Sequence, residues 1–138
     1  METLYTAIAH ATGGENAGHV RSEDDRIDFD TRQALEGDGE GSSTNPQQLF
    51  AAGYAASFLS ALHGAGAEFK TDTSEAAVSA TVELSRSGEG YTHGIELVIY
   101  LPKVAAEQRE QVVERAFHIC PYSNSIRGNI EVTRTLVD

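Results

Sequence analysis

The sequence predicts an α+β fold, with antiparallel sheets and segregated helices around one buried central helix. Three observations predict it. Short stretches of alternating hydrophobicity lie at both ends of the chain, separated by turn residues. An almost wholly apolar helical stretch occupies residues 47–62, and a second, amphipathic helical stretch precedes the last strand. The order reads ββ(β)αββαβ, without internal repeat. A chain of 138 residues needs only one domain, over residues 1–138.

Taken in order, residues 3–10 alternate Leu4, Thr6 and Ile8 against Tyr5, Ala7 and Ala9, and residues 26–30 alternate Ile27 and Phe29 with charges. Ser22-Glu23-Asp24-Asp25 between them reads as a hairpin turn. Residues 35–43 are Gly-rich and acidic and predict a solvated loop. Asp38 and Glu40 would repel an anion and no Lys follows, so the glycines do not make a phosphate cradle.

Thr44-Asn45-Pro46 supplies a capping side chain and a proline at the first helical position, where its missing N–H costs nothing. The helix is expected to run to about His63, with Gly64 and Gly66 as its stop. It is apolar on nearly every face and must be enclosed on nearly every face. One chain of this length has little material for that, which predicts a partner subunit.

Val78, Ala80, Val82 and Leu84 share one face of a strand at residues 76–85, and Ile95, Leu97 and Ile99 share one at residues 91–101. Ser87-Gly88-Glu89-Gly90 joins them as a hairpin. Residues 104–119 carry Val112, Val113, Ala116 and Phe117 opposite Glu107, Glu110 and Glu114, an amphipathic helix that Pro121 ends. Arg127, Gly128 and Asn129 form a turn into a last strand at residues 129–137.

The formal net charge of -11, without a Lys/Arg cluster, works against nucleic acid and anionic membranes. No apolar run reaches the ~20 residues of a membrane span, and the start lacks the basic and apolar regions of a signal peptide, so a cytoplasmic location is expected. The five histidines show no metal-ligand spacing, and neither a metal nor a bound cofactor is expected.

Two residues stand out as chemistry-bearing. Ser57 is the one hydroxyl in the middle of the apolar helix. Its plainest reading is a tolerated serine bonded to the carbonyl one turn back. No G-x-S-x-G elbow surrounds it, which disfavours a serine hydrolase. Cys120 is the only cysteine, so no internal disulfide forms. It reads either as a small buried apolar residue or as a redox thiol. A helix C-terminus disfavours a thiolate, so redox work there suits reaction with an already oxidised sulfur.

The stretch Thr44-Asn45-Pro46-Gln47-Gln48-Leu49-Phe50-Ala51-Ala52-Gly53-Tyr54-Ala55-Ala56-Ser57-Phe58, then Cys120-Pro121-Tyr122-Ser123-Asn124 with Arg127-Gly128-Asn129-Ile130, resembles the organic hydroperoxide resistance (Ohr) branch of the Ohr/OsmC family. The resemblance runs from Leu4-Tyr5-Thr6 and Ala11-Thr12-Gly13-Gly14 to the final strand. It implies an intertwined homodimer with two active sites at the interface. It also implies thiol peroxidase chemistry: a cysteine of the central helix attacks an organic or fatty-acid hydroperoxide, a second cysteine condenses with the sulfenic acid, and a dihydrolipoyl protein reduces the disulfide.

Carried over residue by residue, the second, resolving cysteine is Cys120, the peroxide-attacking cysteine falls on Ser57, and the glutamate after Thr-Asn-Pro falls on Gln47. The loop arginine falls within Glu15-Asn16-Ala17-Gly18, which contains none; Arg21, in the strand beyond, is the nearest. A cysteine is a few per cent thiolate near neutrality at a pKa of ~8.5, whereas a serine hydroxyl stays protonated. Gln47 cannot hold an arginine by charge, and Glu15 has the wrong sign to stabilise a thiolate or alkoxide. The usual peroxidase cycle is therefore expected to be lost or impaired. The alternative is a non-catalytic protein that holds a lipid-like ligand in the interface pocket or senses oxidation through Cys120. Gln47 and Ser57 lie ten positions apart, ~15 Å along a helix, so one small ligand reaches both only if the helix entry folds over or a second subunit supplies one of them.

Overall fold

The computed structural model describes residues 1–14, 17–34 and 43–138. It divides into two compact units, Met1–Leu49 and Phe50–Asp138.

In Met1–Leu49, β1 (Ala9–Gly14), β2 (Ala17–Ser22) and β3 (Asp28–Thr31) form an antiparallel sheet in that order. The register pairs Ala11 with Val20 and Val20 with Phe29, and Thr12 with His19 and His19 with Asp30. Side chains alternate along a strand, so Ala11, Val20 and Phe29 share one face and Thr12, His19 and Asp30 the other. The polar face is cross-linked: His19 Nδ1 lies 2.8 Å from Asp30 Oδ1 and Nε2 lies 2.5 Å from Asp28 Oδ1. The apolar face is open, with Phe29 47% and Ile27 40% exposed.

The first strand starts later than the alternation at residues 3–10 implies. Residues 1–8 belong to no strand, and Ile8 C=O accepts from Glu23 N–H just ahead of β1. Alternation runs through both segments, and pairing with β2 decides which of them forms the strand. The hairpin turn is where the sequence places it. Ser22 Oγ donates to Asp24 Oδ1 and accepts from Ile27 N–H. Most of the expected Gly-rich loop lies outside the described residues. Past it, Thr44 N–H donates to Asp30 C=O and Arg32 N–H to Thr44 C=O.

The central helix, α1 (Pro46–Glu68), opens as expected: Asn45 Oδ1 accepts the Gln48 N–H at 2.8 Å, satisfying a donor the helix start leaves orphaned. It does not stop near His63. Gly64 and Gly66 lie inside it, and Gly66 is buried. A Cβ on Gly66 would come 2.4 Å from Thr73 Cγ2, so this glycine permits close packing and does not end the helix. The end comes where Lys70 turns left-handed (φ 56) and Thr71 N–H caps Gly66 C=O.

In Phe50–Asp138, β4 (Ala77–Ser87) and β5 (Gly90–Tyr100) form a long hairpin across a two-residue turn, with Gly88 at φ 59. Two helices follow, α2 (Ala106–Ile119) and α3 (Pro121–Ile126), then β6 (Val132–Val137). β6 pairs with β5 in parallel, so this sheet is mixed where antiparallel pairing was expected. A parallel neighbour requires a crossover, and α2 with α3 supplies it. The core gathers Tyr54, Phe58, Leu62, Leu97, Ile99, Val112 and Cys120, all fully buried. α1 contributes Tyr54, Phe58, Ala61, Leu62 and Ala65 at helical spacing, while Ala52, Ala56 and Ser60 on its other side are exposed.

Candidate functional site: a hydroxyl–thiol pair between two helices

Ser57 and Cys120, 63 positions apart in the chain, meet: Ser57 Oγ lies 3.4 Å from Cys120 Sγ, a contact in which either group can donate. Ser57 is half-buried and Cys120 fully buried. Cys120 sits at a junction. It is the C-cap of α2, its N–H bonded to Ala116 C=O at 2.9 Å, and also the N-cap of α3, its C=O accepting from Asn124 N–H. Its extended backbone (φ -67, ψ 121) follows from the proline after it, which disfavours helical geometry at the preceding residue. Cys120 therefore belongs to two helix ends of opposite polarity, not only to the single negative end the sequence implied.

A second contact runs beside the first. Tyr54 Oη and Ser123 Oγ are 2.7 Å apart, and both residues are fully buried. Burial pushes the Tyr54 phenol above its usual value, against the opposing effect of that hydrogen bond, so it stays neutral. Sequence reading passed over both residues. The signal was present: Tyr54 precedes Ser57 by one helical turn, and Ser123 follows Cys120 by the same interval.

Tyr122 closes one side. A Cβ on Gly53 would lie 2.4 Å from the Tyr122 hydroxyl, so the tyrosine rests directly on α1 backbone. Its ring centroid is 5.6 Å from that of Tyr54 and 6.1 Å from that of Phe50, the latter edge-on. Phe50, Pro121, Tyr122, Ser125 and Ile126 line an apolar cavity of about 300 Å³. Below it, Arg127 Nη2 donates to Phe117 C=O at 2.6 Å, and the Arg127 and Arg134 guanidinium carbons stand 4.8 and 4.2 Å from the Phe117 ring centroid. The turn at Arg127-Gly128-Asn129 is thus anchored to the α2 end.

Gln47 occupies the first turn of α1, half-buried, in the unit Met1–Leu49. α1 is continuous from Pro46 to Glu68, so its entry does not fold back on itself. Glu15 and Asn16 lie outside the described residues. Arg21, in β2, is engaged by its own turn: Nη1 donates to Asp25 Oδ1 at 2.8 Å and to Ser22 C=O at 3.3 Å. Chemically, the pair at positions 57 and 120 offers one thiol and one hydroxyl, which can share a proton but cannot form a disulfide.

A mixed sheet, a long apolar helix and a cysteine at a helix junction beside it are the marks of an OsmC-like domain. The OsmC-like protein family model matches residues 38–135, and the chain belongs to that family, in its organic hydroperoxide resistance branch. The organic hydroperoxide resistance protein of Xanthomonas axonopodis pv. citri (strain 306) is 41% identical over 138 residues, spanning 98% of this chain and 96% of its own. The organic hydroperoxide resistance protein OhrB of Bacillus subtilis (strain 168) is 37% identical over 130 residues, spanning 94% and 95%. A crystal structure of an organic hydroperoxide resistance protein from Elizabethkingia anophelis, 41% identical, superposes with a TM-score of 0.90 over 100% of this chain and 99% of that one. Among the described residues, no helix is long and apolar enough to cross a membrane.

Proposed function

We propose that this chain is an organic hydroperoxide resistance-type protein whose cysteine-based peroxidase cycle is lost or strongly impaired. The observation that carries the reading is the 3.4 Å contact between Ser57 Oγ and Cys120 Sγ, a hydroxyl where the cycle needs a sulfur. In that cycle a thiolate attacks the peroxide oxygen, the O–O bond breaks, and an alcohol leaves while the sulfur becomes a sulfenic acid. A serine hydroxyl is neither ionised nor soft enough for that attack. Cys120 is fully buried, which shields it from taking over the first step.

The same proposal takes the protein to act in the cytoplasm as a homodimer with two sites at its interface, and a dihydrolipoyl protein to be the reductant of any residual disulfide chemistry. Support for the homodimer comes from the exposed Ala52, Ala56 and Ser60 side of α1 and from Phe29 and Ile27 standing open on their sheet. Turnover of cumene hydroperoxide with a dihydrolipoyl reductant is expected at background. Robust turnover by the unaltered chain would overturn the reading. Ser57→Cys separates the causes: recovered turnover assigns the loss to the serine alone, and continued inactivity assigns it also to Gln47 and the missing arginine.

A second reading, a non-catalytic protein holding a lipid-like molecule, is favoured by the apolar cavity of about 300 Å³ beside Tyr122. Native mass spectrometry of the purified protein decides it: a copurifying acyl chain supports it, and an empty protein with no uptake of added fatty acid removes it.

A further inference from the structure

The two contacts of α1 with α3 and its N-cap residue form a ladder. Tyr54 meets Ser123 and Ser57 meets Cys120, with three positions between rungs on each side, so the rungs are neighbours one helical turn apart. One rung joins two fully buried hydroxyls at 2.7 Å, the other holds the chemistry-bearing pair. We infer that Tyr54 and Ser123 are positioning residues whose hydrogen bond holds Cys120 opposite position 57.

The reason lies in what fixes α3: Ile126 packs against the core, Arg127 joins Asn124 Oδ1 to Phe117 C=O, and the Tyr54–Ser123 contact joins it to α1. α3 has six residues, too few to be stable as a helix alone, so its orientation depends on what it is tied to. Ser123 is its one fully buried residue. The buried anchor of this helix is therefore a polar side chain, and its partner is the Tyr54 hydroxyl. Cys120 stands where α2 ends and α3 begins, so the setting of α3 against α1 bears on where its side chain lies. Tyr122, resting on Gly53, prevents α3 from sliding along α1 but presents an aromatic face, which resists rotation less than a directional hydrogen bond. The Tyr54 phenol stays neutral, so the contact is not switched by ordinary changes of pH.

The inference rests on the site described above only for the pairing of positions 57 and 120, and its test uses no peroxide, so it stands or falls apart from the turnover assay. In Ser57→Cys, oxidised glutathione converts the two thiols to an intramolecular disulfide and leaves two molecules of reduced glutathione. The equilibrium constant of that exchange reports how well the two sulfurs are held together. It is expected to fall roughly three- to tenfold when Tyr54→Phe or Ser123→Ala is added, the range that loss of one hydrogen bond allows. Because both changes remove the same contact, the double change should cost no more than either alone. Val82→Ala, which loosens the core from β4 away from the ladder, should lower the melting temperature and leave the constant unmoved. Constants unchanged by Tyr54→Phe and Ser123→Ala, additive losses, or no 57–120 disulfide at all would each overturn the inference.

Discussion

The two units hold their sheets together by opposite means. In Phe50–Asp138 the sheet of β4, β5 and β6 buries Leu97 and Ile99 completely against helices of its own unit. In Met1–Leu49 every residue of β1 is exposed, and the sheet is linked by His10–Glu23, His19–Asp28, His19–Asp30 and Arg21–Asp25 pairs. Apolar burial is the larger force by far, whereas exposed ion pairs contribute little. One unit holds a buried apolar core, and the other leaves Phe29 and Ile27 exposed on its sheet.

The largest expected effect compares the two cores directly. Phe58→Ala, at a fully buried position, should destabilise by about 3–5 kcal/mol in chemical denaturation. Phe29→Ala, at a side chain 47% exposed, should cost about 1 kcal/mol or less in a monomer. A cost for Phe29→Ala that approaches the core value, and grows with protein concentration, would show that a second copy covers this face in solution.

An intermediate effect is expected at Gly66→Ala. Replacing a helical glycine gains about 1 kcal/mol from propensity. Here the added Cβ would meet Thr73 Cγ2 at 2.4 Å, and Thr73 is held by its Oγ1 contact with His63 Nδ1 at 2.9 Å. Overpacking costs about 1–3 kcal/mol, so the clash wins and the melting temperature should fall. A rise would mean that the loop after α1 gives way freely.

The smallest effect concerns pH. Hydrogen bonds donated to Asp30 first, then to Asp28, hold the His19 imidazole above its usual 6.5, because two carboxylates that only accept require both ring nitrogens to donate. A raised folded-state value stabilises fully below the unfolded value and loses that contribution as pH rises through the folded one. Amide protection in β2 and β3 should therefore weaken from about neutral pH upward, and His19→Ala should flatten the change. Protection that instead increases over this range would contradict the clamp.

How much of this was legible in the sequence depends on how local each cause is. The β4–β5 hairpin and the Asn45 cap were readable, because turn and capping chemistry act within a few residues. Gly66 was misread as a stop because its reason, Thr73, is a tertiary neighbour. α3 was missed because six residues after a proline show no period, and the parallel placement of β6 leaves no mark on its own alternation. The meeting of Ser57 with Cys120 was reached through family resemblance, since no spacing rule connects residues so far apart.

The parallel pairing of β6 with β5 also sets an order of events during folding. The crossover that carries Cys120 is closed only when the last strand, Val132–Val137, docks beside Ile95 to Tyr100. Non-local parallel contacts form late, after the entropy of closing the intervening loop has been overcome. A folding chain therefore has α1 and the β4–β5 hairpin available early, and the crossover bearing its thiol closes only once Val132–Val137 has paired.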